Sequence, residues 1–129
     1  MRGFICGAWD LLHPGHLFTL RACKRFCNHL IIGLHIDPSL ERKDKNKPLE
    51  TAYDRFCRLQ ACKYVDEIIP YETEKDLENL LITQNLDIRF LSEEYKEIEA
   101  TGQDLVPIKY IRRDHSYSSS ELRERIKKS

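Results

Sequence analysis

The 129-residue chain lacks the marks of most specialised classes. It has no apolar run approaching the roughly 20 residues that cross a bilayer, so no membrane span is expected. It has no excess of charge: Lys+Arg and Asp+Glu each total 21. Bulk charge therefore gives no reason to expect a nucleic-acid or membrane partner. The cysteines, Cys6, Cys23, Cys27, Cys57 and Cys62, are odd in number and form no C-x-x-C pair. That disfavours a disulfide framework or a zinc site and predicts reduced, buried thiols. The N-terminus lacks a basic stretch leading into a long apolar segment, so no signal peptide is expected and a cytoplasmic location is. With no internal repeat, low-complexity tract or linker, the length suits one compact domain, residues 1–129.

Apolar residues make up 41% of the chain, and their periodicity alternates between two kinds. Short apolar runs at Gly3 to Ala8, Leu30 to Ile36, Glu67 to Tyr71, Asp87 to Leu91 and Val106 to Ile111 predict strands. Helical spacing predicts helices over Gly15 to Cys27, Thr51 to Tyr64, Thr73 to Gln84 and Ser118 to Lys127. Thr73 with Asp76, and Ser118 with Glu121, have the spacing of helix caps. Strands alternating with helices argue an α/β fold: a doubly wound, Rossmann-like parallel sheet of about five strands with helices on both faces. Such sheets take ligands beyond the carboxyl ends of their strands. The basic loop Asp37 to Pro48, the charged loop Ser92 to Asp104 and the segment Arg113 to Ser120 all fall at that end.

The junction between the first strand and first helix reads Cys6-Gly7-Ala8-Trp9-Asp10-Leu11-Leu12-His13-Pro14-Gly15-His16. Free backbone N–H groups at such a junction face an anion. Gly15 admits close backbone approach, and two histidines supply further donors. A metal pair or two incidental histidines are the blander alternatives, and Asp10 is the sole nearby carboxylate to support a metal. Near the C-terminus, Arg113 precedes three serines, Ser118, Ser119 and Ser120, at the start of a predicted helix. Capping explains one serine; three behind an arginine form a second phosphate cradle.

These two stretches resemble the H-x-G-H motif and the C-terminal Arg-Thr-x-Gly-Ile-Ser-Thr-Thr motif of the nucleotidyltransferases. The resemblance covers most of the chain and is greatest to the short, single-domain glycerol-3-phosphate cytidylyltransferases. It implies transfer of CMP from CTP to a phosphorylated alcohol such as glycerol 3-phosphate, with release of pyrophosphate. It assigns His13 and His16 to the phosphates and Lys45, Lys47 and Arg113 to charge neutralisation. Ser118, Ser119 and Ser120 would bind the β- and γ-phosphates. Gly7, Ala8, Trp9, Asp10 and Gly15 belong to the nucleotide-binding junction. Arg55 matches a family arginine, and Lys63 stands where an arginine is common. Glu93, Glu94 and Tyr95 fall in the region that handles base and acceptor. Mg²⁺ would arrive with the triphosphate, and a homodimer is expected. Three positions depart from the family pattern: Ala8 and Asp114 stand where hydroxyl residues are common, and Ser116 replaces a glycine. Two other readings stay open: an adenylyltransferase using ATP, and a nucleotide-binding module without turnover.

Overall fold

The computed structural model describes residues 1–112 and 124–127. Its elements, in chain order, are β1 (Arg2–Gly7), α1 (Pro14–Lys24), β2 (His29–His35), a 3₁₀ turn (Pro38–Leu40), α2 (Ala52–Gln60), β3 (Glu67–Tyr71), α3 (Glu74–Thr83), β4 (Ile88–Ser92), a second 3₁₀ turn (Glu93–Tyr95) and β5 (Ile108–Ile111). The strands form one parallel sheet in the order β3-β2-β1-β4-β5. The chain winds outward from β1 to β3, then crosses back to lay β4 on the other side of β1. The crevice between β1 and β4 is therefore the topological switch point, where a sheet of this kind opens to ligand. Among the described residues, no helix is long and apolar enough to cross a membrane.

Alternate residues of each central strand point to opposite faces. Ile5, Leu30, Ile32, Leu34, Phe90 and Ile111 pack with Leu20 and Cys23 of α1 and Leu59 of α2. Phe4, Ile31 and Tyr71 pack on the other face with Leu77 and Leu81 of α3 and with Val106. Helices thus cover both faces, as the alternation of elements predicts. Burial raises the Cys23 thiol to about 12, so it behaves as a small apolar side chain. Asp66 ties the layers at their far end: its carboxylate accepts from the Leu30 N–H at 2.8 Å and pairs with Lys24.

Helix starts follow local chemistry. Thr73 and Asp76 form a reciprocal capping box on α3. Thr51 is the N-cap of α2, its hydroxyl accepting from the Asp54 N–H at 3.1 Å. Helix ends fall earlier than periodicity predicts: α1 stops at Lys24 and α2 at Gln60. In both, the next backbone N–H groups turn back on nearer carbonyls, Arg25 to Ala22 and Cys62 to Leu59. β4 is shifted one residue beyond the expected strand, and β5 begins at Ile108, after Pro107. The last predicted helix lies mostly outside the described residues.

Candidate active site

α1 begins where β1 releases the chain, and the two histidines make that start. His13 is the N-cap: its Nδ1 accepts from the Gly15 N–H at 3.1 Å. His16, one turn in, accepts at its own Nδ1 from the His13 N–H at 3.2 Å. The pair forms a capping box from imidazoles, where oxygen-bearing side chains are the usual choice. The chemical consequence is a fixed tautomer. A ring nitrogen that accepts an N–H carries no proton, so a neutral ring bears its proton on Nε2. Both rings then hold an Nε2–H donor, stacked with centroids 4.0 Å apart. Pro14, at the first helical position, has no N–H to satisfy and fixes the entry angle.

The approach to this start is strained and braced. Trp9 and Leu11 have φ of 55° and 51°, in the left-handed region. Trp9 is buried, donates its indole N–H to the Gly33 carbonyl at 3.1 Å, and meets His16 edge-on at 5.5 Å. Asp10 is 2% exposed, and its two oxygens accept from the Leu49 and Glu50 N–H groups at 2.9 and 3.0 Å. The Glu50 carboxylate returns the contact, accepting from the Leu11 N–H at 2.7 Å. Arg55 completes the brace. Its guanidinium donates to the carbonyls of Ala8 at 2.9 Å, His35 at 2.8 Å and Ile36 at 2.6 Å, and to Glu50 and Thr51 at 3.2 and 3.3 Å. Burial lowers its pKa, opposed by Asp10, Glu50 and Asp37. Five carbonyls at the ends of β1 and β2 and before α2 thus share one cation.

A cleft of about 680 Å³ opens over this junction. Gly7, Ala8, His13, Gly15, His16, Lys45, Glu94 and Tyr95 all line it, so segments separated by up to about 90 residues meet there. Several expected residues do not. Trp9, Asp10 and Arg55 lie behind the wall as braces, because their polar atoms are engaged by backbone. Lys47 is exposed beyond the rim, where its charge helps lower the pKa of Asp37, chiefly set by the Ser39 hydroxyl. Lys63 lies elsewhere, its ammonium over the Tyr64 ring at 5.3 Å, beside a shallow hollow of Leu17, Phe18 and Arg21. Glu93 points off the cleft toward Lys96, 3.4 Å away. Arg113, Asp114, Ser116, Ser118, Ser119 and Ser120 lie outside the described residues.

Arg42 of the basic loop and Arg112 also line the cleft, and six further lining residues escape the motif reading: Thr19, His35, Tyr71, Glu74, Arg89 and Thr101. Thr19, one turn beyond Gly15, turns its hydroxyl back to the Gly15 carbonyl at 3.2 Å. His35 stacks on Tyr71 at 4.6 Å and bonds the Glu72 carbonyl through Nε2 at 3.2 Å. Both end their strands, and strand-end position in a predicted parallel sheet was the signal available for them. No trio of His, Cys, Asp and Glu among the described residues gathers as a metal-ligand set. Asp10, the carboxylate nearest the histidines in sequence, is spent on backbone N–H groups.

Comparison with known proteins bears on the family and the fold. Two curated relatives are both called bifunctional protein HldE. That of Campylobacter jejuni subsp. jejuni serotype O:6 is 32% identical over 126 residues, 96% of this chain and 27% of the relative. That of Mesorhizobium japonicum is 35% identical over 106 residues, 81% of this chain and 21% of the relative. The chain thus spans about a quarter of the length of these relatives. In fold it is similar to the lipopolysaccharide core biosynthesis protein of Thermoplasma volcanium, with a TM-score of 0.71 at 24% identity over 92% of this chain and 98% of that one. It also resembles the pantothenate synthetase of Thermus thermophilus, with a TM-score of 0.61 at 14% identity over 96% of this chain and 64% of that one. A family model matches residues 4–125, and by that match the chain belongs to the cytidylyltransferase-like family of nucleotidyltransferases.

Proposed function

We propose that this domain transfers CMP from CTP to a phosphorylated alcohol, glycerol 3-phosphate or a similar sugar or polyol phosphate. A phosphate oxygen of the acceptor attacks the α-phosphorus in line. The bond from the α-phosphorus to the bridging oxygen breaks, pyrophosphate leaves with that electron pair, and a CDP-alcohol forms. No covalent enzyme intermediate is needed. The protein's task is to hold two polyanions together and to stabilise the charge that develops.

The observation that carries this reading is the histidine capping box at the switch point. It pairs two imidazoles whose tautomer makes Nε2 a donor, beside the first-turn N–H groups of α1. In this reading His16 donates to the α-phosphate and His13 to its neighbour. Lys45 from the basic loop adds positive charge, as do Lys47 and Arg113. Ser118, Ser119 and Ser120 hold the β- and γ-phosphates. Mg²⁺ is carried in by the triphosphate and screens it. The exposed Leu49 and Tyr53 near the basic loop support a homodimer. Five unpaired thiols support a cytoplasmic location.

The test is pyrophosphate release from CTP and from ATP, with Mg²⁺, against glycerol 3-phosphate, ribitol 5-phosphate, phosphocholine and phosphoethanolamine. Release from CTP with one acceptor is the expected result and names both substrates. Release from ATP alone transfers the chemistry to an adenylyltransferase. Tight nucleotide binding with no release under any pair supports a binding module.

A further inference from the structure

Arg89 is the one arginine of β4, and it is only 2% exposed. It pairs in register with Phe4 of β1, so its side chain lies on the α3 face of the sheet, among Phe4, Tyr71 and Leu77. Buried arginines are normally matched by a carboxylate or by several carbonyls, as Arg55 is in this same chain. Arg89 has neither. No carboxylate lies within ion-pair distance of it among the described residues, and its single hydrogen bond runs from Nη1 to the Thr101 carbonyl at 2.5 Å. Its Nε is buried and donates to nothing. Yet the residue lines the cleft, as do Cys6, Tyr71, Leu77 and Thr101 around it.

The surroundings hold this arginine in place rather than let it swing out. Thr101 sits in a tight turn whose next residue, Gly102, has φ of +66° and lies where a Cβ would meet Leu81 of α3 at 2.6 Å. The turn is closed by Gln103 N–H to the Ala100 carbonyl and by the Gln103 amide oxygen accepting from the Ala100 N–H. A fixed, charged, under-bonded guanidinium facing a cleft is a site built for an oxyanion. Arg89 lies on the α3 face of the sheet, whereas α1, which carries the histidines, packs on the other face.

We infer that Arg89 binds a second anionic group, a carboxylate or a further phosphate, where a phosphorylated acceptor carries one, and so favours such acceptors over those with the reacting phosphate alone. The assignment to the acceptor rests on the transfer reading; the anion site itself rests on Arg89 alone.

The experiment follows the arginine Nε–H signals of the ¹⁵N-labelled protein by NMR, with Arg89→Lys to assign the one in question. Inorganic phosphate and acetate are titrated in separately, into the wild type and into His16→Ala. The expected result is a saturable shift of the Arg89 signal that survives His16→Ala. The stronger of the two anions identifies the ligand group as phosphate or carboxylate. A flat Arg89 signal with both anions overturns the inference. In the transfer assay, Arg89→Met raises KM about 10- to 100-fold for acceptors with two anionic groups, the worth of a lost charge-assisted hydrogen bond, and has little effect on those with one. An equal effect on both kinds marks Arg89 as merely structural and also overturns the inference. The two readings fail separately. A saturable shift without pyrophosphate release from any pair removes the transfer reading and keeps the site. Release with a flat Arg89 signal does the reverse.

Discussion

His13 and His16 each spend Nδ1 on the backbone, which makes the start of α1 and the direction of two donors a single arrangement. His16→Ala is expected to lower the transfer rate by about 10²–10³, the usual cost of losing a transition-state donor, while circular dichroism stays near wild type and melting falls only by the few degrees that a lost capping contact costs. A rate within a few-fold of wild type removes His16 from the chemistry. Arg55 calls for the opposite pattern. Arg55→Met strands the carbonyls of Ala8, His35 and Ile36, each costing about 1–3 kcal/mol when buried without a partner. Urea unfolding should show a loss of about 3 kcal/mol or more, and a change under 1 kcal/mol would mean that water replaces the guanidinium. The motif made both positions legible but not their division of labour. A histidine before Pro-Gly-His advertises a ligand, and it occupies the cleft. An arginine on an amphipathic helix advertises the same, yet here it serves five carbonyls. Nothing in the sequence distinguishes a guanidinium that meets phosphate from one that meets backbone. Arg89 escaped the reading for a related reason: one charged residue in an apolar strand has no motif to mark it.

At the scale of elements, alternating periodicities were enough to locate five strands and three helices, because the central strands β1 and β2 are buried on both faces and each helix on one. Element ends were less legible, since they depend on which carbonyl the last N–H groups find. One tie between elements sets a pH response. Burial alone would raise the Asp66 carboxyl, but Lys24 and the Leu30 N–H outweigh it and hold it below its ordinary value. A carboxylate depressed in the folded state stabilises fully above its unfolded pKa and loses that contribution as pH falls through the folded one. Stability should therefore decline from about pH 4 downward, and Asp66→Asn should be less stable at neutral pH with a flatter decline, as read by melting at each pH. A parallel decline in both proteins removes Asp66 as a cause. Packing sets a second response. Cys57 is exposed on α2 while Cys23 is buried on the sheet-facing side of α1. Limited iodoacetamide should label Cys57 first and leave Cys23 intact until the fold opens, as mass spectrometry of peptides would report. Early labelling of Cys23 would contradict the packing of α1 on the sheet.

Across the whole molecule, the cleft draws on β1, α1, the basic loop, β3, β4 and the segment before β5. The two halves of the sheet meet along a short seam, with Gly3 paired to Ile88 and Phe4 to Arg89. Arg2 reinforces it at the far end, its backbone N–H meeting Asp87 at 2.7 Å, 85 residues along the chain, and its side chain meeting the Gln84 carbonyl at 3.0 Å. Strands β1 to β3 can pair with neighbours close in sequence, but the seam closes only after a long loop has been ordered, and such closures are slow. The ligand cleft straddles that seam. In refolding from urea, recovery of nucleotide binding should then lag behind recovery of helical and strand signal, and Arg2→Ala should lengthen the lag without touching any wall of the cleft. Bound nucleotide becomes, in kinetic terms, a clock for the final step of assembly.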